Sequence, residues 1–483
     1  MENIENVMDN HTMIKKSYSM VLSPNRIIVL LFCSVCMFIF WLSDGNNNVC
    51  TYVMSWMANL FLLLRLKDCK RVEGKIFNQY TLFIIISFLY IFGQTLLFSL
   101  GIVRIEGLVN GYNINLINKY LLFSVPSFYI FTIPINLLKK QRKPENIVNE
   151  EDNATKKSVM IVCGLLLIIS APFYWMEVID FIRIALISGY AANYVEDGEA
   201  MGILANVILL YVPAVAFLIV NTRKKIAKYL LLVMLIVPAF GYMFVGGRGK
   251  AMSLLTCGLF LWMTEICKTK KKGKYLLAIT LVGVLLLGLF STLREIRDFS
   301  LGTPSEIIAV FISNNLLEGV ISTIKEIGST IYTWIRVEQI VPSLVGFRFG
   351  YSYLAAILSC IPSGLIGYSF ADDAALDIWL TNEVNADYGL GFSMMAESYC
   401  NFGYVGIILI FFVGLFMFYF LSGNIIRNGD IRFKNAVSAI ALYIFTNIAR
   451  NSLSLSVRNI FYGIIIPLLL IKVLRMIMIG GKK

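Results

Sequence analysis

Four short segments of the sequence carry residue types that could handle an anion or a proton. Gly246-Gly247-Arg248-Gly249-Lys250 joins two long apolar runs and has room only for a tight turn. Its glycines open backbone conformations that side chains resist. Exposed amides and Arg248 could grip a phosphate there, or the segment is a plain hairpin. It is not a nucleotide-binding P-loop, because Phe244 stands where the first glycine belongs. Arg294 and Arg297 share one helical face, a spacing that suits a diphosphate clamp or pairing with Glu295 and Asp298. Ser393, Glu397, Asn401 and Tyr404 recur at helical spacing and predict a polar stripe entering a span. A carboxylate at a membrane edge needs a partner or a purpose, so Glu397 is a proton acceptor or half of a structural pair with an Arg. Arg450, Ser454 and Arg458 share a face ahead of the last apolar run, either as an anion site or as an ordinary basic loop. Asp372, Asp373, Asp377, Glu383 and Asp387 could hold a divalent ion, but such a run is more often simply solvated, and no metal is expected. The single histidine, His11, lies in the polar N-terminal tail. Carboxylates are therefore left as the candidates for general base.

The elements that position these residues follow from composition. The chain has 483 residues, 58% hydrophobic and 15% charged. That leaves too little polar surface for a water-soluble body. The apolar residues fall in runs near 27–42, 51–64, 81–103, 120–138, 158–178, 203–220, 227–245, 251–266, 275–293, 404–421, 435–448 and 459–476. Each approaches the ~20 residues that cross a bilayer core as a helix. The expected fold is all-α and polytopic, with about twelve transmembrane helices in one membrane domain spanning 1–483. The first run lacks a small-residue cleavage site and reads as a retained span.

The net charge of +12 sits in short clusters between alternate runs, the pattern of cytoplasmic loops rather than of nucleic-acid binding. Both termini are therefore expected in the cytoplasm, and the long connection 294–403 outside. The basic residues assigned to the outer side are nine Arg against three Lys. Topology does not require that, and Arg is the better fork for phosphate, so an anionic ligand on the outer face is favoured. Within the outer loop, 317–327 has helical periodicity and predicts a helix along the membrane surface. The apolar stretch 353–367 is expected to be re-entrant or interfacial, because no Lys or Arg occurs between Arg348 and Arg427. Cys33 and Cys36 form a C-x-x-C inside a span without partner ligands, and Cys360 and Cys400 could both lie outside.

Three stretches resemble the Wzy-type O-antigen, or oligosaccharide repeat unit, polymerases. They are Gly246–Gly249, Gly389–Gly403 with Glu397-Ser398-Tyr399-Cys400-Asn401, and Arg450-Asn451-Ser452-Leu453. Asn451 stands where that family often has Gly. The resemblance implies a glycosyltransferase of a bacterial cytoplasmic membrane that joins undecaprenyl-diphosphate-linked repeat units on the outer face, with no cofactor. Its partners would be the lipid-linked donor and acceptor, membrane lipids and a chain-length regulator, and not nucleic acid. On this reading Glu397 and Arg248 are catalytic; Arg294, Arg297, Ser393, Tyr399, Asn401, Arg450 and Arg458 bind substrate. The related O-antigen ligases look to use an outer histidine, which this chain lacks. Direct attack would invert the anomeric carbon. The alternatives are a lipid-linked oligosaccharide flippase, which would be expected to carry ionisable residues at mid-membrane, and a non-catalytic assembly partner.

Overall fold

The computed structural model describes residues 38, 47–105, 107–108, 112–138, 150–188, 203–267, 316–386, 389–426 and 431–480. The expected spans 27–42 and 275–293, the pair Arg294 and Arg297, and Cys33 and Cys36 lie outside the described residues. Among those described, every regular element is a helix.

The first three helices are α1 (Asn48–Glu73), α2 (Gln79–Ser99) and α3 (Ile114–Thr132), the last ending in a 3-10 turn at Ile133–Leu137. Asparagine starts each of them. Asn47, Asn78 and Asn113 accept from the amides of Val49, Thr81 and Asn115, which would otherwise lack partners. Next come α4 (Glu150–Ile187), α5 (Ile203–Ile208), α6 (Tyr211–Asn221), α7 (Lys225–Phe244) and α8 (Arg248–Leu261). Helices α1 to α3 pack on one another. Helix α6 packs between α4 and a later helix, and α7 packs on α8.

The long connection 294–403 supplies α9 (Leu316–Ile327), α10 (Thr330–Ile340), α11 (Tyr351–Leu358), α12 (Leu376–Glu383) and α13 (Met394–Phe402). The chain finishes with α14 (Ile407–Leu421), α15 (Ile431–Phe445), α16 (Leu453–Ile460) and α17 (Ile466–Gly480).

Eight helical stretches among the described residues are long and apolar enough to cross a membrane. They match eight of the twelve expected runs. Helices α8 and α15 occupy two more runs but have only 14 and 15 residues. The stretch 353–367 holds α11 and a single turn at Ser363–Ile366, each too short to cross.

Two consecutive helices of this connection differ in burial. Helix α9 is partly exposed, as its periodicity predicts, but α10 is not a surface helix. Its Trp334 is wholly buried against Tyr120 and Phe123 of α3 and Tyr399 of α13. The corner between α9 and α10 approaches α2 so closely that a Cβ on Gly328 would lie 2.5 Å from the Gln94 amide, and one on Gly93 2.8 Å from the Ile324 carbonyl. Only glycine permits that contact, the usual role of small residues where membrane helices touch.

The two ends of the bundle are chemically distinct. At the end bearing the basic loops, Arg65 is buried. It donates to Asp68 at 3.0 Å, Thr132 at 2.8 Å and the Tyr129 carbonyl at 3.1 Å. Glu265 accepts there from Lys228 at 3.4 Å and from Asn435 at 2.9 Å. The opposite end gathers the turn before α8, the outer loop and the segment between α15 and α16.

Candidate active site

The segment Asn447–Leu453 forms the hub of that opposite end. Asn447 Nδ2 donates to the Gly249 carbonyl and to Ser253 Oγ, both at 2.8 Å, and its Oδ1 accepts from Tyr90 Oη at 2.9 Å. This fastens the glycine-rich hairpin beside Arg450. The Arg450 carbonyl accepts from the Phe392 amide at 3.1 Å. The Leu453 amide donates to Glu397 Oε2 at 2.7 Å. Three of the four candidate segments thus meet here.

Glu397 is only 1% exposed. Its other oxygen, Oε1, accepts from Ser352 Oγ at 2.9 Å. Asn401 Nδ2 donates to that same Ser352 oxygen at 2.8 Å, and Asn401 Oδ1 accepts from the Gly350 amide at 2.9 Å. The carboxylate therefore joins α11, α13 and the start of α16, where an anion also meets the positive end of the helix.

Arg348 completes the surroundings. Its guanidinium lies 4.5 Å from the Trp379 ring centroid, within electrostatic reach of Glu397 and beside the Cys400 sulfur. The Arg450 side chain lies against Gly391, whose φ of +67° suits glycine; a Cβ there would stand 3.9 Å from Arg450 Nε. Arg458 reaches Asn206 Oδ1 through Nη2 at 2.7 Å and Nε at 3.0 Å. Arg348, Arg450 and Arg458 are half-buried, and none forms an ion pair among the described residues.

Three further cations at this end are matched with acids. Arg248 pairs with Glu326 of α9. Lys250 pairs with Glu177 at 2.9 Å over the Phe181 ring, and Lys119 with Glu338 at 2.7 Å.

Two helical-spacing readings give way here. Arg450, Ser454 and Arg458 do not share a face. Arg450 ends a 3-10 turn, Asn451 and Ser452 are extended, and α16 begins only at Leu453. The backbone groups that would continue a helix are instead spent on Phe392 and Glu397. The stripe Ser393–Tyr404 is also interrupted. Ser393 is the N-cap of α13, accepting from Ala396 at 3.1 Å, and the helix breaks at Gly403, before Tyr404. Tyr399 belongs to the aromatic cluster with Trp334 and Phe123. Cys360 and Cys400 are separate thiols.

Sequence reasoning passed over Arg348, Ser352 and Asn447 as site residues. Arg348 did carry a signal, as the last basic residue before a long stretch with none. Asn447 carried another, as an amide within an apolar run.

This is a polytopic helical membrane protein with a candidate site at one end of the bundle, built from arginines and one buried carboxylate. The family model for O-antigen polysaccharide polymerase Wzy matches residues 25–482, and the chain belongs to that family. It is thus an integral inner-membrane glycosyltransferase that polymerises lipid-linked oligosaccharide repeat units. Neither the curated proteins nor the solved structures yield a significant match.

Proposed function

We propose that the protein transfers a growing glycan from undecaprenyl diphosphate onto a second lipid-linked repeat unit at the outer face of the membrane, with both termini in the cytoplasm. The observation that carries this reading is the trio Arg348, Arg450 and Arg458, half-buried beside the hub and in no ion pair among the described residues. Cations in that setting favour an anion, and a lipid diphosphate is the anion the reaction releases.

As the glycosidic bond breaks, negative charge develops on the leaving diphosphate. Fixed arginine donors stabilise it without reorganising. Arg450 and Arg348 are read as the principal donors, with Arg458 beyond them; Arg294 and Arg297 remain candidates for the same group. The acceptor hydroxyl attacks the anomeric carbon from the opposite side, which inverts it. Glu397 is read as the base. An acceptor hydroxyl can replace Ser352 at Oε1 while the Leu453 amide holds Oε2 in place. Asn401 orients Ser352. Arg248, committed to Glu326, is read as locking the hairpin to α9 and supporting the site from behind. Ser393 and Tyr399 shape the entry of α13. No step uses a nucleotide or a metal, and a chain-length regulator is the expected protein partner.

The test is purified protein in detergent supplied with lipid-linked repeat units and followed by glycan gel. Longer glycans that disappear in Arg450→Ala at matched protein level support the reading. Wild-type protein that moves units across vesicles without joining them would replace it with the flippase.

A further inference from the structure

The loop that places Ser352 on Glu397 carries, on its other side, two exposed phenols aimed at one carboxylate. Tyr351 Oη donates to Asp373 Oδ2 at 2.6 Å, and Tyr368 Oη donates to the same oxygen at 2.7 Å. Oδ1 of Asp373 accepts no hydrogen bond among the described residues. Both rings are exposed at the protein surface, 43% for Tyr351 and 50% for Tyr368, and Phe370 meets Tyr368 edge to face at 4.9 Å. The hydrogen bond to Asp373 pushes the Tyr351 phenol up to about 12, so it remains a neutral donor.

This cluster is tied to the active-site hub at both ends. Ser352, next to Tyr351, donates to Glu397. Ala374, next to Asp373, accepts through its carbonyl from Ser452 Oγ at 3.4 Å, and Ser452 adjoins the Leu453 amide that holds Glu397. A cluster with a purely packing role would bury its rings. This one leaves both rings exposed and Asp373 Oδ1 without a hydrogen bond among the described residues, tied through Ser452 to the Arg450 segment.

We propose that Tyr351, Tyr368 and Asp373 form a glycan subsite that holds sugars of the lipid-linked substrate next to the diphosphate. The ring faces take the apolar C–H faces of pyranoses, and Asp373 Oδ1 accepts from a sugar hydroxyl. This is the usual division in ligand sites between apolar area and a few placed polar groups. The fixed negative charge disfavours a carboxylated sugar at that point, so the stretch held there is neutral or carries an amine. The proposal rests on the reading of Arg450 as a diphosphate contact.

The test uses the full chain in detergent and, as probe, the phosphate-free oligosaccharide repeat unit released from the surface glycan of the host. Saturation-transfer NMR reads its binding. Wild type is expected to transfer saturation to the sugar ring protons. Tyr351→Ala with Tyr368→Ala should weaken binding at least tenfold at unchanged thermal stability, and Asp373→Asn several-fold. Tyr351→Phe with Tyr368→Phe, which keeps the rings, should stay within about threefold of wild type. Equal binding by wild type and the double Ala variant overturns the subsite. So does a double Ala variant that binds sugar normally but inserts poorly into vesicles, since the tyrosines would then be interfacial anchors. Inorganic diphosphate, titrated separately against wild type and Arg450→Ala, tests the underlying reading, and its failure leaves the sugar titration still decisive for the subsite.

Discussion

Glu397 is almost wholly withdrawn from water and holds two donors, and its substitutions separate structure from chemistry. In Glu397→Gln the amide oxygen can still accept from the Leu453 amide, and its NH2 can meet Ser352 Oγ. That variant is expected to keep its protein level and melting temperature while losing most polymerisation. Glu397→Ala leaves the part-buried Leu453 amide without its partner, which costs about 1–3 kcal/mol, and should lower both stability and activity. Parallel thermal-shift and glycan-ladder measurements check the pair; full activity in Glu397→Gln would remove the base from the mechanism. Arg450→Ala should reduce turnover at least a hundredfold and Arg450→Lys should recover part, since Lys keeps the charge but not the fork. If Arg248 acts through its pair with Glu326, Glu326→Gln should weaken activity as much as Arg248→Ala does; loss in Arg248→Ala alone would restore it as a direct phosphate contact. Arg450, Arg458, Glu397 and Asn401 stood out as candidates in the sequence because ionisable or polar groups are conspicuous beside apolar runs, whereas Arg348 was passed over. Ser352 and Asn447 did not stand out. Their roles come from partners 45 and 198 residues away, Glu397 and Gly249, and a lone serine or asparagine announces neither.

At the scale of elements, the crossing of α2 with the α9–α10 corner decides whether the outer loop docks at all. Gly328→Ala would push a methyl group into the Gln94 amide. Overpacking of this kind costs about 1–3 kcal/mol, here at a joint that also places Glu326 on Arg248. The expected result is a lowered melting temperature in detergent together with reduced polymerisation, whereas an unaltered melting curve would show that the corner can yield. Helix positions were largely readable, because eight stretches of apolar sequence become eight helices of spanning length. What periodicity hid were the breaks. Helical spacing continues on paper through Gly403 and Asn451, but at both places tertiary hydrogen bonds claim the backbone. The burial of α10 was not readable for a related reason: nothing in Ile331, Trp334 and Ile335 names α3 and α13 as their neighbours.

For the whole molecule, the separation of the two ends makes a topology that can be tested. With native cysteines replaced, Val320→Cys and Asp373→Cys should label with an impermeant maleimide added outside intact cells, and Lys224→Cys only after permeabilisation. The reverse pattern would place the arginine site in the cytoplasm and exclude an outer-face reaction. The expected orientation comes from the alternation of basic loops, because that bias acts on each connection separately, and the labelling pattern decides it. The convergence of hairpin, outer loop and final segment on one hub was not readable from the sequence, since it depends on which helices neighbour one another.

The bond between Glu397 and the Leu453 amide spans 56 residues, and that separation bears on biogenesis. At roughly 5–20 residues per second, Glu397 leaves the ribosome about 3–11 s before its partner does. During that interval the carboxylate has no Leu453 amide to hold it, and α13 cannot settle against a segment that does not yet exist. Nascent chains halted before residue 450 are expected to be substrates for membrane proteases, and chains released after residue 460 to be spared. The segment after residue 450 thus acts as a check on synthesis: the site closes only once the stretch that carries Leu453 has been made.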